Sequence, residues 1–365
     1  MIGTAPTLME VYRTSIPMRR FEHAAAAREC SEAIVVRVVW PDGRQGWGET
    51  LPRQYVTGET LDSVVEDLCE RIFPAMGTGA IPRVDTGGRC MSAAAAALDL
   101  AQYDAWCDNP PPGPIGVCVS GVLGSADPAR TARTLKHMRW FGLRDFKLKL
   151  GFDAQVDREN LKVVSRRLAR GIKTGKLTLR VDVNGGWSLD ETPGRVDELV
   201  RYGVCVVEQP VYCPAEKLCE LAARCSLPLM ADESLVSRAD AEALQHAGAK
   251  VWWNIRISKN GGITSAGELA ALASLSGIPF VVGCMVGESS ILSAAQRRLL
   301  AAEGAGAKFV EGNYGRFLLA GDLTGKSLRF GWGGRLRTIA GSGLGVRVDP
   351  DGLARHGRLV ATVSR

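Results

Sequence analysis

The chain has 365 residues, 46% hydrophobic and 23% charged, which describes a folded protein with room for one large core and a smaller satellite domain and excludes a disordered tail or a collagen-like fibre. Its 45 Lys and Arg against 39 Asp and Glu leave a net charge of +6, too mild an excess at this length to be the footprint of a nucleic-acid-binding protein. Ten cysteines without a Cys-x-x-Cys, four histidines with no helical ligand pair, and no apolar run of about 18 residues argue against a disulfide scaffold, a His-rich zinc site and a membrane span. With no secretory-signal pattern at the N-terminus, a cytoplasmic protein with neither nucleic-acid nor membrane partners is expected.

Residues 8–18 and 33–40 read as strands, and the turn Pro41-Asp42-Gly43 makes 38–47 a hairpin. A helix follows from the cap-like Thr60 through Leu61, Val64, Val65, Leu68 and Ile72, and a second covers the alanine-rich stretch 92–106. The run Pro110-Pro111-Pro112-Gly113-Pro114 breaks this α+β pattern and marks a boundary. Beyond it, short apolar stretches at 115–119, 145–150, 178–183, 204–208, 228–231, 251–256, 280–284 and 308–311 alternate with amphipathic ones at 128–140, 156–168, 215–225, 239–246, 265–276 and 291–303. Eight strand-then-helix steps at this spacing favour a (β/α)8 TIM-type barrel over an open sheet. The chain from about residue 318 is Gly-rich and basic, shows no strong helix and is expected to pack back on the N-terminal part. The expected division is an α+β domain at 1–110, the barrel at 111–320 and a returning segment at 321–365.

In a (β/α)8 barrel the active site is assembled at the C-terminal ends of the strands. Strand two carries Lys147-Leu148-Lys149, strand three ends in Asp182-Val183-Asn184, strand four in Glu208-Gln209-Pro210 and strand five in Asp232-Glu233. Asp182, Glu208, Asp232 and Arg256 follow one another at 26, 24 and 24 residues, one βα unit each, so all four should face one mouth. Three converging carboxylates repel one another unless neutralised, and a hard divalent cation such as Mg2+ takes such oxygen ligands. Any one of these acids alone reads more simply as a solvated strand end or a helix cap; three at one-unit spacing do not. The spacing of two between Lys147 and Lys149 puts both ammoniums on one face, where each disfavours the other's charge and lowers its pKa. A lysine poised in this way can serve as a general base; the plainer alternative is a pair of surface lysines.

These motifs, with Ala231-Asp232-Glu233-Ser234, Lys259-Asn260-Gly261-Gly262-Ile263, Gly46-Trp47-Gly48-Glu49, Tyr55-Val56-Thr57-Gly58-Glu59-Thr60 and Gly283-Cys284-Met285-Val286-Gly287-Glu288-Ser289, span most of the chain. The sequence thereby resembles the enolase superfamily of mandelate racemase and muconate lactonizing type, specifically the subgroup of muconate lactonizing enzymes, o-succinylbenzoate synthases, N-acylamino acid racemases and dipeptide epimerases. The resemblance implies a barrel under an α+β capping domain, with Asp182, Glu208 and Asp232 as Mg2+ ligands and Asn184 and Glu233 in support. It implies Lys149 as acid/base, tuned by Lys147. Substrate contacts are expected from Arg20, Phe21 and Tyr55 of the cap and from Cys284, Glu288, Glu311 and Asn313 of strands seven and eight. The partner implied is a small-molecule carboxylate, and members of such families are commonly homo-oligomers.

One position departs from the pattern. The subgroup places a second catalytic lysine at the end of strand six, where this chain has Arg256 in Asn254-Ile255-Arg256-Ile257-Ser258-Lys259. Arginine keeps its proton at any usable pH. A two-base racemisation is therefore disfavoured relative to a one-base cycloisomerisation or syn-elimination, with Arg256 as an electrostatic partner. Strand eight reads Glu311-Gly312-Asn313 where epimerase members carry Asp-x-Asp, which weakens a dipeptide substrate. Dipeptide or N-acylamino acid epimerisation stays open as an alternative, as does a barrel that binds a metabolite without turning it over.

Overall fold

The computed structural model describes residues 5–23, 26–76, 81–83, 88, 90–111 and 116–365, without the side chains of 20–23 and 26–28. Strands β1 (Leu8–His23), β2 (Ala26–Val39) and β3 (Gln45–Thr50) pair antiparallel in that order. Strand alternation divides β2 between two cores: Ile34, Val36 and Val38 face the helices of the cap, whereas Ala33 and Val35 join the core shared with the barrel.

The helix Leu61–Asp67 starts from Thr60, whose hydroxyl and Ser63 form a reciprocal capping box, and continues as one π turn over Leu68–Ile72. The helix Ser92–Trp106 lies against β3 because Gly46 and Gly48 carry no side chain. A Cβ there would come within 1.9 Å of Ala101 O and 1.8 Å of Ala97 O. The first residue of this helix has no cap of its own. Glu59 supplies one from the preceding loop, accepting from the Ala93 N–H at 2.9 Å and the Ala94 N–H at 3.0 Å.

The second sheet is parallel and follows chain order through β4 (Gly121–Leu123), β5 (Asp145–Lys149), β6 (Thr178–Asp182), β7 (Val207–Glu208), β8 (Leu229–Ala231), β9 (Val251–Ile255), β10 (Phe280–Val282) and β11 (Ala307–Val310). Val119 pairs parallel with Val310 and the Ser120 N–H reaches Val310 O at 2.7 Å, closing the sheet on itself. The chain is thus a (β/α)8 barrel with an α+β cap. Helices Pro128–Trp140, Ala154–Lys173, Thr192–Val200, Ala215–Ala223, Arg238–Gln245, Ile263–Leu275 and Ser290–Glu303 cover its outside.

Three details differ from the sequence pattern. The first strand lies later than 115–119, because Gly121, which reads as a strand breaker, is the residue that lets β4 pass Met138. The helix Thr192–Val200 was not expected, its short Thr-Pro-Gly start masking the periodicity. The basic C-terminal stretch contains the helix Pro350–His356, capped by Asp349 on the Gly352 N–H at 3.1 Å. It then ends in β12 (Gly357–Ser364), antiparallel to β1. Among the described residues no helix is long and apolar enough to cross a membrane.

Burial raises Glu59 to about 7, outweighing the Ala93 and Ala94 amides that pull it down. A carboxyl raised on folding contributes stability that is complete below its unfolded value and lost as pH rises through the folded one. Over a rise from 4.5 to about 7 that loss is about 3 kcal/mol. The urea midpoint is expected to fall between pH 5 and pH 8, and to fall less in Glu59→Gln; equal pH slopes in both proteins would exclude this contribution.

Candidate active site

Strand register brings the sequence-predicted residues together. Lys149 on β5 stands opposite Asp182 on β6, and Asp182 stands opposite Glu208 on β7. Asp232 follows β8 and Arg256 follows β9, and all these side chains are buried at the C-terminal end of the barrel. Asn184, Gln209 and Asn313, each just past the end of a barrel strand, are the non-glycine residues with positive φ among those described, at 48°, 34° and 55°. Such backbone is held only where its surroundings over-determine it. Here Gln209 Oε1 accepts the N–H groups of Asp232 and Ser234, at 2.8 and 3.1 Å, and so ties β7 to the loop after β8.

Each carboxylate meets a cation of the chain. Asp182 Oδ2 lies 2.6 Å from Lys149 Nζ and 3.2 Å from Lys147 Nζ, and Lys149 also donates to Asn184 Oδ1 at 2.8 Å. Glu208 takes Lys147 at 3.1 Å, the Asn254 amide at 2.8 Å and Arg256 at 3.4 Å. Asp232 is paired with Arg256 and, at 3.0 Å, with Lys259. Glu311 lies 2.6 Å from Lys147 and 3.0 Å from Arg180.

This arrangement corrects one expectation, that Lys147 and Lys149 lower each other's pKa. Burial does press Lys147 downward, but Glu208, Glu311 and Asp182 more than reverse it, and its pKa is raised. Lys147 is a fixed cation. Lysine and arginine groups of the chain stand between the three carboxylates. Glu208 is nonetheless pushed upward by burial and by Asp182, and burial and Asp232 raise Glu233 to about 8.

A cavity of about 220 Å3 opens above this layer. Its floor includes Lys147, Lys149, Arg256 and Glu311, its apolar wall Met138, Met285, Phe317 and Leu318, and its cap side Arg53 and Tyr55. Asn184, Cys284, Glu288 and Asn313 also line it. Glu311 is engaged by Lys147 and Arg180, and Asn313 by Arg297 and Gln296. The side chains of Arg20 and Phe21 lie outside the described residues. The cap is fastened at this end: Ser31 donates to Gly287 O at 2.7 Å, Ser258 Oγ takes the Leu51 N–H at 2.9 Å, and buried Glu49 accepts from the Ser289 hydroxyl at 2.6 Å.

Sequence reasoning missed Arg180, Gln209, Asn254 and Lys259 as members of this network. Arg180 and Asn254 each stand two residues before a chosen one, Asp182 and Arg256, and the period of two would have flagged them. Gly283 is needed beside them, since a Cβ there would lie 2.1 Å from Asn254 Oδ1. Lys147→Ala should cost about 3–5 kcal/mol in urea unfolding, because three buried carboxylates lose their shared cation; a loss under 1 kcal/mol would contradict this balance.

A divalent metal was expected at Asp182, Glu208 and Asp232. As buried oxygen donors at adjacent strand ends they suit Mg2+ in kind, and the buried Glu233 Oε2, without a hydrogen-bond partner, is a further oxygen donor on the residue after Asp232. Among the described residues no three such side chains form a ready-made metal cluster.

Comparison with known proteins bears on the family and the fold. The chain is 29% identical over 309 residues to an N-succinyl-L-Arg/Lys racemase from Bacillus cereus, covering 79% of this chain and 82% of the relative. It is 28% identical to muconate cycloisomerase 1 from Rhodococcus opacus, over 92% of this chain and 93% of that protein. The structure of a dipeptide epimerase from Cytophaga hutchinsonii, complexed with Mg and the dipeptide D-Ala-L-Val, superposes with a TM-score of 0.82 at 22% identity, covering 98% of this chain and 99% of the other. The enolase C-terminal domain-like family model matches residues 129–352, and the chain is a member of the enolase superfamily, related to its racemases, epimerases and muconate cycloisomerases.

Proposed function

We propose that this protein is an isomerase or lyase that moves the proton beside a substrate carboxylate, with Lys149 as its single acid/base. One observation carries the reading: at the cavity wall, Lys147 is fixed by three carboxylates, and Arg256, four strands away across the barrel, keeps its proton. Lys149 is bound more lightly, by Asp182 and an amide. It is the amine that can exchange a proton with a substrate in the cavity.

In the elimination direction, the C–H bond next to the carboxylate breaks, its proton passes to Lys149 Nζ, and the electron pair enters the carboxylate as an enediolate. The pair then expels the β-substituent, which leaves with the proton Lys149 has taken, on the same face. In the cycloisomerising direction, a second carboxylate of the substrate adds to a conjugated double bond, and the resulting enediolate takes its proton from the Lys149 ammonium. A divalent cation such as Mg2+, which the Cytophaga hutchinsonii neighbour carries, would be held by Asp182, Glu208 and Asp232 and would supply positive charge against the enediolate. Asn184 orients the Lys149 amine, and Lys147 and Arg256 add fixed positive charge at the floor. The apolar wall around Met138 and Phe317 suits a substrate with a hydrocarbon body.

Epimerisation of an acylamino acid or dipeptide is the second reading, favoured by the racemase relative from Bacillus cereus. Deuterium exchange separates the two. With Mg2+ in D2O and a panel of acyl amino acids, dipeptides and lactones, label is expected in one stereoisomer of the product, and Lys149→Ala should slow exchange by about 10²- to 10⁴-fold. Label in both enantiomers would replace the one-base reading with epimerisation, and undiminished exchange in the Ala variant would remove Lys149 from its role.

A further inference from the structure

Asp182, Glu208 and Asp232 do not reach the cavity wall; Lys147, Lys149 and Arg256 line it in front of them. The cover over the last two carboxylates is the guanidinium of Arg256, whose NH2 group touches both Asp232 Oδ2 and Glu208 Oε1. We propose that Arg256 is a tethered cation that occupies the seat of the divalent metal in the unliganded protein, so that metal enters only when the guanidinium is displaced. The proposal rests on the reading of Asp182, Glu208 and Asp232 as the metal's ligands.

The chemistry of the side chain makes it a lid on the seat. A lysine can leave a carboxylate by giving up its proton, whereas a guanidinium stays charged and must move as a whole. One nitrogen, NH2, donates to carboxylates from two strands at once, while NH1 is turned to Met285. The chain also provides a second station. Glu233 Oε2 is buried without a hydrogen-bond partner, and Arg256 Nε has none either. Arg256 NH1 already reaches Met285 Sδ at 3.7 Å, and the Met285 N–H is held by Glu288 at 2.7 Å. A guanidinium leaving Glu208 and Asp232 therefore has other acceptors beside it, Glu233 Oε2 and Met285 Sδ. A dication wins this competition by its second charge, but its affinity is lowered by the cost of moving the arginine.

Mn2+ binding to the full chain, read by the electron paramagnetic resonance of free Mn2+ and by calorimetry, tests this. Arg256→Lys keeps the charge and removes the fork; Arg256→Met removes the charge at similar length; circular dichroism checks that each is folded. Both are expected to bind Mn2+ at least tenfold more tightly than the native protein, and Glu208→Gln is expected to abolish binding. Affinity equal to or weaker than native in Arg256→Lys overturns the proposal, and if Glu208→Gln still abolishes binding the metal reading survives it. Mn2+ binding that persists in Glu208→Gln, or that no variant shows, overturns the metal reading and the proposal with it. If neither variant folds, a crystal structure of the native protein with Mn2+ decides: Arg256 still on Glu208 and Asp232 beside the bound ion is the refuting result.

Discussion

The alternation of buried acids and bases at the barrel's end is the constraint to which the other features answer. Moving one carboxylate out of water costs several kcal/mol even after relaxation, and a neighbouring cation offsets it only with good geometry. Here Lys147 is shared by Asp182, Glu208 and Glu311, and Asp232 is held between Arg256 and Lys259. Such a layer is stable complete and unstable in part. Its partners must therefore arrive together, which parallel strands in fixed register, each presenting every second residue inward, accomplish.

The cap depends on the same end of the barrel. Glu49, Leu51 and Ser31 hold it to Ser289, Ser258 and Gly287, beyond β9 and β10, and this sets Arg53 and Tyr55 on the rim of the cavity. Glu49 pays a desolvation penalty that raises it to about 7, although its oxygens take the Ser289 hydroxyl and amide and the Leu292 amide at the start of Ser290–Glu303. A helix N-terminus favours an anion there. The cavity thus has a wall from each half of the molecule, and their alignment is hydrogen-bonded and does not rest on apolar contact alone.

Much of the fold was legible because it follows local periodicity. The helices Pro128–Trp140 and Ser92–Trp106 coincide with their sequence patterns, and the one-unit spacing of Asp182, Glu208 and Asp232 does place them at neighbouring strand ends. What sequence did not disclose is who neutralises whom. Lys147 looks like the partner of Lys149 when β5 is read alone; its dominant neighbours come from β7 and from the residue after β11, 61 and 164 positions away. Arg180 escaped notice because a charged residue inside an apolar strand reads as an exception until Glu311 is beside it. Glu59 was likewise invisible as a helix cap, since it precedes its helix by more than thirty residues.

The pairing of β12 with β1 has a consequence for how the molecule is made. Leu8 is matched with Ser364, so β1, already joined to β2 on one side, waits on the other until the whole barrel has been synthesised between them. A loop of that length closes at an entropic cost that grows only logarithmically, so the contact is affordable at equilibrium but late in time. Until then β1 is an open strand edge, able to pair with the wrong neighbour. The last eight residues of secondary structure thus act as the latch of the first, and the emerging chain needs shelter for that edge for as long as translation of the barrel takes.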